Sequence, residues 1–444
     1  MDKDQKNFHK SRRINFSKTL GKDAMAVIFG STHKNKSYDG DFEFEQHKNF
    51  YYLTGFNEPN AALVIAPAGI KINDEGVEKT YTEILYVQKK DPLMETWNGL
   101  RLDHREVKSE LGIEKAFENE KIKNILNPVI FRKFSKLFLN FGEMIKLTEE
   151  MKVHTTMFMN GLNRYAANIE VTDASYLLGK MRAVKTPFEI NLIKRAADIS
   201  INSYNETLKV ISANVNESQV QATLEYHYKY NGGESAYGAI VASGENACIL
   251  HYEKNNLDLK NGDLLLIDSA AEFQNYCSDI TRTFPVNGKF SEDQKKIYEI
   301  VLKANKECIK RIRPGVKWSA IGELSNKILA DGLYGLGLLK NKKDIRKYSL
   351  HGVGHHIGLD THDAVPGAKT FSTDNDTLKE GNVLTVEPGL YFPLTMKEVP
   401  QKFRGMGVRI EDVILVTKSG NLNLTEKMSK ETNEIEALMS GSIS

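Results

Sequence analysis

His351-Gly352-Val353-Gly354-His355-His356-Ile357-Gly358-Leu359-Asp360-Thr361-His362-Asp363 gathers four of the chain's eleven histidines into twelve residues. Imidazole is a common ligand of transition metals. The glycines beside His351 and His355 let the backbone turn tightly and approach a neighbour closely. One such histidine is readily explained as a core residue with satisfied hydrogen bonds. Four together are poorly explained that way.

Three further stretches carry carboxylates where apolar residues would be expected. Leu264-Leu265-Leu266-Ile267 ends in Asp268, and Asp279 opens the strand-like Asp279-Ile280-Thr281-Arg282-Thr283-Phe284. A bare carboxylate is costly to bury. A short antiparallel pair joined by a turn would bring Asp268 and Asp279 to one spot. Taken alone, the pair has a plainer explanation: Asp279 pairs with Arg282 and Asp268 caps a turn. Val383-Leu384-Thr385-Val386 ends in Glu387, which by strand alternation shares a face with Val383 and Thr385. Val408 to Val416 reads as one strand, with Arg409 and Glu411 on one face, a pair that in isolation is a surface salt bridge.

As a set these residues ask for something else. Asp268, Asp279, Glu387 and Glu411 with a neutral His355 would carry a formal charge of −4 if they converged. Two divalent cations would balance it. Oxygen-rich donors with one nitrogen and no thiolate favour manganese, iron, cobalt or zinc over a closed structural zinc site. Two such ions about 3.5–4 Å apart can share a nucleophile and stabilise the oxyanion formed on a carbonyl. Spacing alone does not establish convergence.

The bulk properties narrow the field. The chain has 444 residues, enough for two domains with separate cores. Lys and Arg number 60 against 58 Asp and Glu, a formal charge of +2, so no strong field draws nucleic acid or an anionic membrane. Cys248, Cys277 and Cys308 have neither zinc-knot nor dithiol spacing and read as free thiols of a reducing compartment. The polar start MDKDQKNFHKSRR lacks a signal's apolar core, and no apolar run nears the roughly 20 residues that span a bilayer. A cytoplasmic enzyme is expected.

Residues 1–172 read as an α/β domain with buried strands at Ala26–Phe29, Ala61–Ala66 and Glu83–Val87. A second domain is expected over 173–444. Thr186-Pro187-Phe188-Glu189 is a capping box that opens a helix whose apolar face runs through Ile193, Ala197, Ile201 and Tyr204. Ser291 and Gln294 open another, with Ile297, Val301, Ala304, Cys308 and Ile312 inward. The basic cluster Lys340, Lys342, Lys343, Arg346 and Lys347 reads as a solvated loop. The polar tail after Thr417 is expected to be loose.

The motifs LLLID (264–268), SDITRTFPVNGKF (278–290), HGVGHHIGLDTHD (351–363), LTVEPGLY (384–391) and GVRIED (407–412) stand in the order of the pita-bread metallopeptidases, which the chain resembles. NFYYLTGFNEPNAALVI (49–65) and ETWNGLRL (95–102) extend the resemblance to the aminopeptidase P branch, the Xaa-Pro aminopeptidases. The resemblance implies an α/β N-terminal domain plus an α+β pita-bread (creatinase/aminopeptidase) catalytic domain. It implies two divalent metal ions, manganese first. Asp268 would chelate one, Asp279 and Glu411 would bridge, and His355 and Glu387 would hold the other. Glu387 would double as general base. His251 and His362 would orient the scissile peptide, and His351 would wall the proline pocket. Tyr391 and Arg409 would support the ligands. Trp97 would close a neighbouring subunit's pocket, which implies a homo-oligomer, dimer or tetramer.

The implied substrates are peptides with proline in second position, with no nucleic-acid or membrane partner. Val353-Gly354 departs from the Thr-Ser of many aminopeptidase P sequences, and a Gly beside the ligand histidine also occurs in prolidases. That leaves dipeptide hydrolysis as the alternative. The full ligand set argues against a non-catalytic binding protein on this fold, and against metal-free creatine hydrolysis.

Overall fold

The computed structural model describes residues 1–125, 133–140, 169–363 and 377–441, with single positions at 130 and 160. Two compact units result, Met1–Lys180 and Met181–Ser444. Among the described residues no helix is long and apolar enough to cross a membrane.

The first unit is built on β1 (Ala24–Phe29), β2 (Ala62–Asp74), β3 (Val77–Val87), β4 (Lys115–Glu118), β5 (Lys136–Leu139) and β6 (Glu170–Asp173). They form one mixed sheet in the order β4-β3-β2-β1-β5-β6. The β2–β3 hairpin turns at Glu75-Gly76, both with positive φ, the conformation a two-residue hairpin loop requires. Met25, Val27, Val64, Ile84, Tyr86 and Leu137 fill one core against the sheet.

Helix α1 (Lys3–Leu20) brings His9 into this unit, almost completely buried. Its Nδ1 lies 3.0 Å from the Tyr52 carbonyl oxygen, and its Nε2 has no hydrogen-bond partner among the described residues.

In the second unit, α2 (Pro187–Thr207) and α3 (Glu292–Arg311) start at the expected capping boxes on Thr186 and Ser291. Ile193, Ala197, Ile201 and Tyr204 of the first are buried, as are Ile297, Val301, Ala304 and Cys308 of the second. Four strand groups hold the ligand motifs. β7 (Ile240–Ser243), β8 (Leu264–Asp268) and β11 (Thr281–Pro285) form an antiparallel sheet, β7-β8-β11. Between its last two strands, β9 (Ala271–Phe273) and β10 (Tyr276–Cys277) make a hairpin. β12 (Val383–Val386), β15 (Asp412–Val416) and β16 (Asn421–Asn423) form a third group. β13 (Gly389–Phe392) pairs with β14 (Met406–Arg409).

Two sequence expectations fail here. Val408 to Val416 is not one strand. Its backbone changes partner at Ile410-Glu411, where Ile410 N donates to Pro388 O and Glu411 N to Thr281 O. The tail after Thr417 is not loose over 418–441, and its last three residues, 442–444, lie outside the described residues. β16 pairs along β15, and helix α4 (Thr432–Met439) buries Ile435. Thr425 Oγ1 and Lys430 Nζ both donate to the Asp412 carboxylate, so a polar tail is tied down by a buried charge. The three cysteines are free, as expected.

Burial lowers the His9 pKa from 6.5 to about 4, with nearby Arg13 and Arg12 acting in the same direction. The folded state therefore resists protonation that the unfolded chain accepts. Stability from neutral His9 is complete above pH 6.5 and is lost as pH falls towards 4. At pH 4.5 the loss should be about 2–3 kcal/mol. Urea unfolding of the full chain at pH 7 and 4.5 checks this. His9→Gln should flatten the pH dependence, and equal slopes for both proteins would refute it.

Candidate metal centre

β8 and β11 run antiparallel with Asp268 opposite Thr281. Asp279 lies just before β11, so the two carboxylates reach the same place. Asp268 Oδ1 and Asp279 Oδ1 both accept from the Tyr237 hydroxyl, at 2.7 and 2.6 Å. Arg282 does not pair with Asp279. It alternates to the opposite face and meets Asp412 at 2.8 Å, fully buried. The Asp279–Arg282 explanation is thereby excluded.

Glu411 and Arg409 do not form a surface pair either; both are buried. Glu411 Oε2 accepts from Thr281 Oγ1 at 2.7 Å. The Arg409 guanidinium spreads three ways: Nε to Thr281 Oγ1 at 3.1 Å, Nη1 to Tyr391 Oη at 2.9 Å and Nη2 to Asp268 Oδ2 at 2.6 Å. A planar fork serves this task; a lysine ammonium would not reach three acceptors in one plane.

His355 arrives by sheet-like pairing. Its loop lies along β12, with Ile357 N donating to Val383 O, Thr385 N to His355 O and Glu387 N to Val353 O. Gly354 makes this possible. It has φ +151°, and a Cβ there would stand 2.1 Å from Thr385 O. The close approach sets His355 Nε2 3.5 Å from Asp279 Oδ2 and 3.7 Å from Glu387 Oε1. His355 Nδ1 lies 3.0 Å from His356 O, which orients Nδ1–H to the carbonyl and leaves the Nε2 lone pair facing the carboxylates. One ligand atom each from Asp279, His355 and Glu411 falls within 4.8 Å of the others.

The electrostatics follow from burial. Desolvation raises the Asp279 carboxyl well above its ordinary pKa, and the Asp268 charge adds to it. Glu411 is raised by burial and then by Asp279; Glu387 by burial and then by Glu411. His355 is held down to about 3 by burial and by His362. Mutually repelling carboxylates around a neutral imidazole with a free-facing nitrogen are a donor set that divalent cations fit.

Around this core, His351 Nδ1 lies 3.4 Å from Glu387 Oε2, and its Nε2 lies 2.7 Å from Tyr391 Oη. The His362 ring centroid is 4.0 Å from that of His355. His251 is solvent-exposed, and among the described residues no hydrogen bond ties it to the cluster. Trp97 lies in the first unit on the helix Pro92–Asn98, 78% exposed. Sequence reasoning missed Tyr237, which sits in no motif. It also gave no role to Thr281 or to Thr385, whose Oγ1 accepts from His355 N at 3.0 Å. Both threonines lie inside the quoted motifs on the site face of their strands, which was the available signal.

Residues 191–418 match the model of metallopeptidase family M24, and residues 9–138 match the aminopeptidase P N-terminal domain. The chain belongs to family M24. Among M24 relatives it is 35% identical to an Xaa-Pro aminopeptidase of Haemophilus influenzae over 99% of this chain and 98% of that one. It is 34% identical to the Xaa-Pro aminopeptidase of Escherichia coli, with 93% of each chain covered. In solved structures, Pseudomonas aeruginosa aminopeptidase PepP superposes with a TM-score of 0.89 at 32% identity, covering 98% of both chains. Aminopeptidase P from Escherichia coli with the inhibitor Pro-Leu gives 0.88 at 32%, again over 98% of both. The pita-bread catalytic domain of an M24 metallopeptidase, preceded by an aminopeptidase P N-terminal domain, is thus the architecture of this chain.

In this M24 member Gly354 is the tightest constraint on the ligand loop. Gly354→Ala should force the loop off β12, costing about 1–3 kcal/mol of stability as overpacking does. It should also weaken divalent-metal binding. Urea unfolding and calorimetric Mn²⁺ titration measure the two effects; no change in either would contradict the close-approach argument.

Proposed function

We propose that this chain is a dinuclear-metal Xaa-Pro aminopeptidase that removes the first residue from peptides with proline in the second position. The observation that carries the reading is the convergence of Asp268, Asp279, His355, Glu387 and Glu411 on one site. The similarity to Xaa-Pro aminopeptidases along nearly the whole chain supports it. The domains are taken as 1–172 and 173–444.

Asp268 would chelate one cation, Asp279 and Glu411 would be shared between the two, and His355 and Glu387 would hold the second. When bound, the pair supplies Lewis acidity towards the scissile carbonyl and lowers the pKa of water at the site. Manganese is taken as the metal on the family resemblance, from among the manganese, iron, cobalt or zinc that the donor chemistry allows. Glu387 takes the proton of the attacking water at its carboxylate. His362 and His251 orient the scissile peptide and steady its oxyanion. His351 walls the proline pocket, its ring fixed by the Arg409–Tyr391–His351 hydrogen-bond chain. Proline's tertiary amide has no N–H and a fixed φ, so this pocket reads shape rather than an amide donor.

Trp97, exposed in the single chain, closes the pocket of a neighbouring copy, so the active form is a homo-oligomer, dimer or tetramer. Free thiols support a cytoplasmic location. Gly354 alone favours a second reading, an Xaa-Pro dipeptidase.

Purified protein with Mn²⁺ should release the first residue from Xaa-Pro-Yaa peptides. Chelation or Asp279→Ala should lower turnover by more than about 100-fold, beyond what losing an outer partner costs. Turnover indifferent to both would sink the metal mechanism. A strict preference for Xaa-Pro over Xaa-Pro-Yaa-Zaa would install the dipeptidase instead.

A further inference from the structure

Two cations just before α2 have no part in the peptidase reading. Arg182 and Lys185 are buried, their side chains 3% and 1% exposed. Both face the loop that carries the last histidine of the site. Arg182 Nη2 donates to Asp360 Oδ2 and to Asp363 Oδ1, and Lys185 Nζ donates to Asp363 Oδ2 at 2.7 Å. The Asp363 side chain is itself only 1% exposed.

The same segment is fastened on another side. Lys185 N donates to Gly381 O, and Asn382 Nδ2 donates to Ala183 O, each at 2.8 Å. Gly381 and Asn382 lead directly into β12, which ends at Glu387. Residues 182–185 therefore join the histidine loop to the strand that carries the general-base candidate.

The loop has little slack. Gly358 N donates to Asp360 O, Cys277 N donates to Gly358 O, and Asp363 N donates to His356 O. A Cβ on Gly358 would stand 2.5 Å from Asp363 Oδ2 and 2.9 Å from Lys185 Cε. His362 is bracketed between Asp360 and Asp363, with its ring against His355. Burying two cations opposite two carboxylates is an expensive way to fill space, since apolar residues of equal volume are often as stabilising. What the ion pairs add is direction, through the guanidinium fork and the short ammonium bond.

We propose that Arg182 and Lys185 are positioning residues of the peptidase centre, acting through Asp360 and Asp363 to hold His362 in place beside His355. This rests on the reading of His362 as a group that orients the substrate.

A double-mutant cycle on the full-length, Mn²⁺-loaded chain tests it. Lys185→Met should lower kcat on Xaa-Pro-Yaa peptides about 10- to 100-fold with KM changed less than about threefold, the signature of misplacement. In a His362→Ala background the same exchange should cost less than about threefold, because the group it positions is gone. Equal losses in both backgrounds would mark a purely structural role and overturn the proposal, as would full activity of Lys185→Met. If Lys185→Met does not fold by circular dichroism, the charge-balanced pair Lys185→Met/Asp363→Asn runs through the same cycle. The His362 Hε1 resonance of the metal-free chain, assigned by its loss in His362→Ala, reads the position without turnover. It should shift or broaden in Lys185→Met or in the charge-balanced pair. An unmoved resonance overturns the positioning claim, whereas a wild-type chain that cleaves no Xaa-Pro peptide overturns only the functional reading.

Discussion

Carboxylates packed together away from water repel one another, and the second unit is organised around making that repulsion tolerable. Asp279, Glu387 and Glu411 are all driven towards the neutral form by burial and by each other. Three kinds of partner work against this. Arg409 brings a positive charge to Asp268. Tyr237 and Thr281 donate hydroxyls to Asp268, Asp279 and Glu411. Divalent cations, which the donor set fits, would complete the balance. Losing any one of these partners would leave a buried charge uncompensated, which is far costlier than losing a surface pair.

Behind the site a second buried network fixes the strands that present it. Arg282 points away from the carboxylate cluster and donates to Asp412 Oδ1, to Met428 O and to Glu411 O. Lys430 meets Asp412 from the C-terminal segment at 2.6 Å. With two cations beside it, Asp412 is held well below the ordinary carboxylate range. Asn305 in α3 donates to both Val386 O and Ile410 O, bridging the ends of two ligand strands at the points where each yields its glutamate. The polar tail is part of this device, which is why a segment that reads as loose is ordered.

Much of the fold was legible because its signals are local. Thr186 and Ser291 cap helices through bonds to residues three positions away, and the apolar faces of those helices follow from their own periodicity. The strand at Leu264–Ile267 is marked by an unbroken apolar run. The break at Ile410-Glu411 was not legible, since the residues on both sides favour a strand and only the competing partners Pro388 and Thr281 divide it. Tyr237 was not legible either: nothing around it in the chain distinguishes a tyrosine that reaches two aspartates from one that packs.

The sequence by itself determined which residue types are available for chemistry, their order along the chain, and a charge count that asks for cations. It also determined the permissive backbone at Gly354. Tertiary structure alone decided the partners. Asp279 and Arg282 stand three residues apart, as Arg409 and Glu411 stand two apart, and each pair reads as a salt bridge. In the fold, alternation along β11 sends Arg282 to Asp412, and the bonds joining Arg409 on β14 to Thr281 and Thr283 of β11 bring its guanidinium within reach of Asp268. The physical reason is that a salt bridge depends on distance in space. Strand register sets that distance through hydrogen bonds to residues more than a hundred positions away, such as Glu411 N to Thr281 O.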